Sequence, residues 1–482
     1  MEFYKKGFKY YKNNNNFSKK KLKKIELLIF FIIIIKFLLF KIPNSSININ
    51  NEIIVNDLNN IINDLNITNY KKINKKIKIA VYAHSLINGG VERLTATFIN
   101  YISKIKIFEI YLFLNKNGDN EYQISKNINV IKFSEKSKYN LKRKLIKNEI
   151  DIFIYQFYNE YEIGMLNNLK KIKTIFYNHS CFLIRLYIRF DNKSYNTFKN
   201  LYNAYKHSKY VISLIHLEND YLFKKWGINS IFVNNFISYD YDSIIPSDLS
   251  SKTILMIGRG NDITKRFYLG IQSMKYIVTE IPQCDMKIIS DIKDIEELKN
   301  LVKQMNLENN IKFIGYTSTP EIYFKNASLH ILPSICESFG LSISETKAYG
   351  IPNILTGLDY ISPAKGGVIN IYDDKPQTIA KEAIKILKDE KYRKKLGMEA
   401  RISMRKFKNE MTTKKWIKII LSIYNGDEYY NKIKEEDEKL SENELKIILK
   451  KQLELLKIRE KKFENITIDQ LSDFNFVEKI VT

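Results

Sequence analysis

Short apolar runs alternate with helix-periodic segments over most of this chain, and the alternation begins afresh halfway along. Strands buried on both faces and separated by crossover helices assemble into parallel sheets, so this pattern restricts the fold more than any other feature. The first series opens with Ile79–Ala83, continues through the loop His84–Gly90 with its adjacent Gly89 and Gly90, and passes into a helix over Val91–Ile102 marked by Leu94, Phe98 and Tyr101. Strand, glycine turn and helix form the opening of a βαβ unit. Further strands are expected at 107–114, 152–156, 173–177 and 210–214. The second series runs through 253–257, 286–289, 311–314, 327–332 and 354–355. Two successive α/β domains follow, joined near Phe236–Ser251.

The ends of the chain have a different composition. Residues 1–24 hold nine lysines and one acid, and residues 25–42 form an apolar run interrupted by Glu26 and Lys36. About 18 residues is close to the minimum needed to span hydrocarbon, so this run reads as a membrane anchor, with a cleaved signal peptide as the alternative. The lysines preceding it keep the N-terminus cytosolic by the positive-inside rule and place the remainder in the ER or Golgi lumen; a cytosolic-facing enzyme is the other possibility. Residues 43–76 are rich in Asn and Ile and read as a stem. Residues 425–482 carry 11 basic and 14 acidic side chains. Within them Ser441 and Glu444 form a capping box ahead of Leu445, Ile448, Leu449, Leu453 and Leu456, which predicts an amphipathic helix. The expected order is therefore basic tail 1–24, anchor 25–42, stem 43–76, an acceptor-side Rossmann-like domain 77–236, a nucleotide-sugar-binding Rossmann-like domain 237–424, and a charged helical tail 425–482.

The formal charge of +25 invites a nucleic-acid reading, but Lys, Asn, Ile and Tyr are enriched together, as AT-rich coding produces. No Cys/His finger, RNP-like aromatic strand or Arg-rich run accompanies the charge, so no nucleic-acid partner is expected. Three cysteines, Cys181, Cys284 and Cys336, support neither a disulfide framework nor a zinc site.

The segment Ile331–Pro352, ILPSICESFGLSISETKAYGIP, holds the densest chemistry. An apolar strand ends at Pro333, a loop carries Glu337 and Gly340, and a helix runs from about Leu341 to Gly350. Ligands of open parallel sheets sit beyond the carboxyl ends of the strands, where helix N-termini offer unpaired N–H groups to phosphate. Glu337 points into that crevice, and Glu345, one turn into the helix, is suited to accept hydrogen bonds from a ribose diol.

Glu337-x7-Glu345 within this segment closely resembles the signature of family 4 (group 1) retaining glycosyltransferases, whose GT-B fold pairs two facing Rossmann-like domains. Gly89-Gly90-Val91-Glu92-Arg93 is similar to the glycine-rich first turn of that family's acceptor domain. The stretch from Gly258-Arg259-Gly260 to Lys265 resembles its Arg and Lys pair for the donor pyrophosphate, and Tyr177-Asn178-His179-Ser180 its histidine motif. The resemblance covers roughly residues 77–424. It implies a catalytic set of Glu337, His179, Arg259 and Lys265. It also implies donor contacts from Gly89, Gly90, Ser338, Phe339, Gly340, Leu341 and Glu345, with Glu337 on sugar hydroxyls and Glu345 on the ribose.

The implied reaction transfers a sugar from a UDP- or GDP-sugar to a glycan, lipid-linked or protein-linked acceptor at a membrane. Arg259 and Lys265 stabilise the departing diphosphate, so neither a metal nor a cofactor is expected; the nucleotide-sugar is a substrate. The alternative is an inactive relative that binds sugar or serves as a scaffold, and the retained charge set argues for the enzyme. Two departures stand out. Arg266 follows Lys265 where the family commonly has Gly, and Asp240-Tyr241-Asp242 imitates a metal-binding DxD but falls in the interdomain junction and reads as a solvated loop.

Overall fold

The computed structural model describes residues 75–482 except 88, 116–121, 133–137, 157–168, 170, 182–191, 260–263, 292–294, 437–438, 460–462 and 474–482. The proposed basic tail, anchor and stem lie outside the described residues apart from Lys75 and Lys76. Among the described residues, no helix is long and apolar enough to cross a membrane.

Two fully parallel sheets carry the fold. The first comprises β1 (Ile77–Ala83), β2 (Phe108–Leu114), β3 (Asn129–Lys132), β4 (Ile152–Tyr155), β5 (Lys173–Tyr177), β6 (Tyr210–Ser213) and β7 (Ser230–Phe232), in the order β3-β2-β1-β4-β5-β6-β7. The second comprises β8 (Thr253–Ile257), β9 (Asp285–Ile289), β10 (Ile311–Phe313), β11 (Leu329–Leu332), β12 (Asn353–Leu355) and β13 (Val368–Asn370), in the order β10-β9-β8-β11-β12-β13. The registers are set by apolar residues that meet across the strands, as in Ile79 between Ile110 and Ile152. The result is a two-domain, parallel-sheet, GT-B-like α/β fold.

The helices used below are α1 (Gly90–Ile102), α2 (Phe267–Glu280), α3 (Leu341–Ala348), α4 (Asn409–Asn425), α5 (Asp427–Glu436), α6 (Glu442–Arg459) and α7 (Ile468–Ser472). In each sheet the strand order reverses direction about its first strand, at β1/β4 and at β8/β11. Loops leaving those strands splay to opposite sides and open a crevice, which positions the site. The loop after β1 carries Gly89, the loop after β8 carries Arg259 and leads to Lys265, and the loop after β11 carries Glu337.

Helix α4 lies within the stretch expected for the second domain, yet it crosses back to complete the first. Its Trp416 is fully buried, with ring centroids 4.6 Å from Phe98 and 5.0 Å from Tyr177. Burying such a ring contributes on the order of 3 kcal/mol. Asn409, at the start of α4, donates to the Ile237 carbonyl at 3.0 Å and to the Tyr101 hydroxyl at 3.1 Å. The Ile237 N–H donates back to Asn409 at 2.9 Å, fixing the interdomain junction against both domains. At that junction Asp242 pairs with Lys408.

The C-terminal tail is helical. Its capping box forms as expected, with the Ser441 N–H donating to Glu444 at 2.8 Å and the Glu444 N–H to the Ser441 hydroxyl at 3.3 Å. Helix α6 buries Leu445, Leu449, Leu453 and Leu456 on one face.

Candidate active site

Helix α3 starts where the chain needs a glycine. Gly340 has φ 76°, and a Cβ there would stand 2.6 Å from the Ile343 side chain. No side chain caps this end, so the first-turn N–H groups lack a side-chain acceptor there. At its far end Gly350 takes φ 73°, and the Ile351 N–H returns to the Thr346 carbonyl at 3.1 Å, which ends the helix before Pro352. The N-terminus of α1 lies opposite. A Cβ on Gly90 would be 3.2 Å from the Leu341 side chain, so two helix N-termini approach each other across the crevice with no side-chain cap on either. First-turn N–H groups of this kind attract an anion, and at α1 the Glu92 carboxylate already lies against Gly89.

Lys265 and Glu337, 72 residues apart, form an ion pair in which both side chains are largely covered, at 17% and 12% exposure. Glu337 also accepts from the Ser334 hydroxyl at 2.8 Å. Its backbone N–H donates to the Tyr360 hydroxyl at 2.9 Å, and that hydroxyl donates to the Glu337 carbonyl at 3.0 Å. The Cys181 thiol, two residues past His179, donates to the same hydroxyl at 3.8 Å. Tyr360 thus ties the glutamate loop to the histidine loop of the other domain. Phe339 is buried edge-on against Phe407, while Ser338 and Leu341 remain partly accessible. Arg259 is exposed just after Gly258, whose Cα faces the Lys265 chain.

Arg266 explains its own departure from the family pattern. It has φ 46° and ψ 43°, the left-handed region that glycine enters freely and that costs another residue about 1–2 kcal/mol. Its guanidinium turns away from Lys265 and is buried, donating to the Pro333 carbonyl at 2.8 Å, to the Thr356 hydroxyl at 2.9 Å and to Asp374. The extra charge is therefore matched by Asp374 inside the domain.

Glu345 is placed differently from a carboxylate open to the crevice. Its side chain is 2% exposed and pairs with Arg93 of α1, 252 residues away, while the Ser238 hydroxyl donates to the same oxygen at 2.7 Å. Burial pushes the Glu345 carboxyl above the usual carboxylate range, against the pull of Arg93 and Ser238. Burial acts most strongly on the Arg93 guanidinium and favours its neutral form, but Glu345 together with Tyr239, Tyr122 and Tyr316 outweighs it, and the group holds its proton more tightly than usual. Tyr122 and Tyr316 flank this pair from the two domains, their hydroxyls 3.5 Å apart. Arg93 stood in the Gly89–Arg93 motif without a role, and Ser238, Tyr122 and Tyr360 carried no sequence signal.

His179 follows β5, its ring 4.1 Å from that of Tyr177, and its Nε2 is buried without a partner. Buried polar atoms are normally paired, and His330 Nε2 and Trp416 Nε1 are likewise buried without a partner. His330 on β11 is fully buried and bonds Asn353 through Nδ1 at 2.6 Å. Burial lowers the pKa of His179 to about 3 and that of His330 to about 4. Both stay neutral in the folded chain, while the unfolded chain protonates near 6.5, so stability falls as pH drops below 6.5. Urea titrations at pH 6.5 and 5 should show a loss of about 1.6 kcal/mol per histidine. His330→Asn should remove its share of that slope, and an unchanged slope would show that His330 is not held neutral.

Two parallel sheets, each with its own switch point, define a GT-B-like α/β fold. Residues 240–403, about a third of the chain, match the family described as glycosyl transferases group 1. Sucrose-phosphate synthase from Thermosynechococcus elongatus shares the fold with a TM-score of 0.61 at 15% identity, over 73% of this chain and 100% of that one. Anabaena HepE in complex with UDP and glucose gives 0.60 at 16%, over 72% and 99%. Poly(glycerol-phosphate) alpha-glucosyltransferase of Bacillus subtilis is 29% identical over 174 residues, 35% of this chain and 24% of that protein. N-acetyl-alpha-D-glucosaminyl L-malate synthase of Bacillus anthracis is 27% identical over 183 residues, 37% and 47%. The matches span less than half the length of these two relatives.

Proposed function

We propose that this chain is a retaining glycosyltransferase that moves a sugar from a nucleotide-sugar donor to a glycan, lipid-linked or protein-linked acceptor. The observation that supports this most is the Lys265–Glu337 pair, set at the β8/β11 switch point beside the uncapped N-terminus of α3. In the free chain the two charges satisfy each other. A donor divides them: its diphosphate takes the Lys265 ammonium together with Arg259 and the helix N-termini, and its sugar hydroxyls take the Glu337 carboxylate. The ribose meets Glu345, and the base lies by Tyr316. The vacant Nε2 of His179 faces the sugar or the acceptor.

Breaking the sugar–phosphate bond puts negative charge on the diphosphate, and the fixed cations and N–H groups stabilise it where it develops. No side chain is assigned as a nucleophile; departure and attack share one face of the sugar, and the cations supply the charge stabilisation without calling for a metal. Anchoring through residues 25–42 remains part of the proposal and would hold the enzyme near a membrane-borne acceptor.

A panel of UDP- and GDP-sugars, beginning with UDP-glucose because HepE was solved with UDP and glucose, tests the reading by nucleoside diphosphate release. Release from at least one donor, accelerated by an acceptor, is expected. Sugar binding with no turnover of any donor would favour a binding subunit instead.

A further inference from the structure

The tail helix α6 lies beyond the residues that match the glycosyltransferase family, yet its last residue enters the framework beneath the donor loop. The Arg459 side chain, 7% exposed, grips Asp374 with two hydrogen bonds, from Nε at 2.6 Å and from Nη2 at 3.0 Å. The same carboxylate receives Arg266 through Nη1 at 2.5 Å and Nη2 at 3.0 Å. Two guanidinium groups thus share one carboxylate and hold its pKa down to about 2, against the burial that would raise it.

From this node three successive carbonyls leading to Glu337 are held. Arg266 donates to that of Pro333 at 2.8 Å, the Thr356 hydroxyl to that of Ser334 at 2.8 Å, and Arg459 to that of Ile335 at 3.3 Å. The Ile335 N–H donates to the Thr264 carbonyl at 2.7 Å, fixing the residue before Lys265. Lys265 therefore lies between two residues tied to the node, and Glu337 two residues beyond the last held carbonyl. The rest of α6 reinforces the attachment: Gln452 donates to the Gly357 carbonyl at 2.8 Å, and Lys451 pairs with Asp359 at 3.0 Å. The tail is held on the first domain on either side of this helix. The Leu440 N–H donates to Asp220 at 3.4 Å, and after α6 the Trp226 indole donates to the Ser472 carbonyl at 3.0 Å.

We propose that Arg459 is a positioning residue of the donor site, setting Lys265 and Glu337 through Asp374 and Arg266, so that the C-terminal tail is a working part of the transferase. The proposal rests on reading Lys265 and Glu337 as donor residues. Displacing reacting groups by about 1 Å costs on the order of a hundredfold in rate, so a support removed from behind the loop has a large lever.

The test uses the full chain carrying Arg459→Met, Arg459→Lys or no change, with donor kcat and KM, melting temperature and backbone hydrogen exchange measured on each. Arg459→Met should lower donor kcat/KM by about ten- to a hundredfold. It should also speed exchange at 264–266 and 333–337 while leaving β1–β6 protected. Arg459→Lys should restore only part of both effects, because a single ammonium cannot reproduce the two-pronged grip. Wild-type kcat/KM and wild-type exchange at those loops in Arg459→Met would overturn the proposal. So would a loss of protection spread evenly over both domains, which marks general destabilisation. If the unaltered chain releases no nucleotide from any donor, the proposed activity fails, and the exchange comparison alone decides whether Arg459 sets the loop.

Discussion

Lys265→Ala is expected to lower kcat by about 10²–10³-fold while the chain stays folded, the size of effect seen when one preorganised donor is removed from a developing anion. The argument is local. Lys265 is largely covered, and its charge is aimed at the one carboxylate beside the α3 N-terminus. On the proposed reading its loss removes a fixed cation from the leaving diphosphate, and it leaves Glu337 accepting from the Ser334 hydroxyl without the ammonium. Glu337→Gln should fall by a comparable factor for a different reason: an amide keeps the shape but weakens the acceptor for sugar hydroxyls. Single-turnover transfer on the donor identified by the panel, alongside thermal melts, separates chemistry from folding. Full activity in both variants would remove the pair from the mechanism.

The second large effect is expected at Arg93. Its partner Glu345 is almost wholly excluded from solvent, and breaking one side of a buried ion pair strands the other, at a typical cost of about 3–5 kcal/mol. Arg93→Met should therefore lower stability by that order, and Glu345→Gln placed on top should recover much of the loss, since a neutral amide tolerates burial without the cation. The two residues belong to different domains, so their coupling also measures how firmly the domains hold each other. A double-mutant cycle in urea is the measurement, with a coupling of about 0.5–3 kcal/mol expected. Independent, additive effects would mean that the pair contributes no coupling. On the proposed reading donor KM should change in the same variants, because Arg93 favours the ionised form of the carboxylate assigned to the ribose.

The long strands were readable because their apolar runs are continuous: 173–177 and 253–257 coincide with β5 and β8 residue for residue. β3, β7 and β13 were not read; each has three or four residues and all three lie at sheet edges, Asn129–Lys132 being mostly exposed. The turn at Gly340 and the helix after it were legible from Gly and Pro punctuation. What could not be read was partnership over distance. Nothing local to Glu345 announces an arginine 252 residues earlier, and nothing local to Arg266 announces that Asp374 absorbs its charge. Lys347 makes the same point. It looks like a surface cation, but it is fully buried, and its ammonium donates to the carbonyls of Pro363 and Lys365.

The return of α4 to the first domain sets an order of events during synthesis. Trp416 completes the cluster of Phe98 and Tyr177, so the first domain reaches its final packing only after Asn409–Asn425 has left the ribosome. At about 5–20 residues per second, the stretch from Phe236 to that helix takes roughly 9–35 s to make. Throughout that interval an aromatic face of the nascent chain stands uncovered, which makes chaperone supply a determinant of yield and makes 77–236 a poor fragment to express alone.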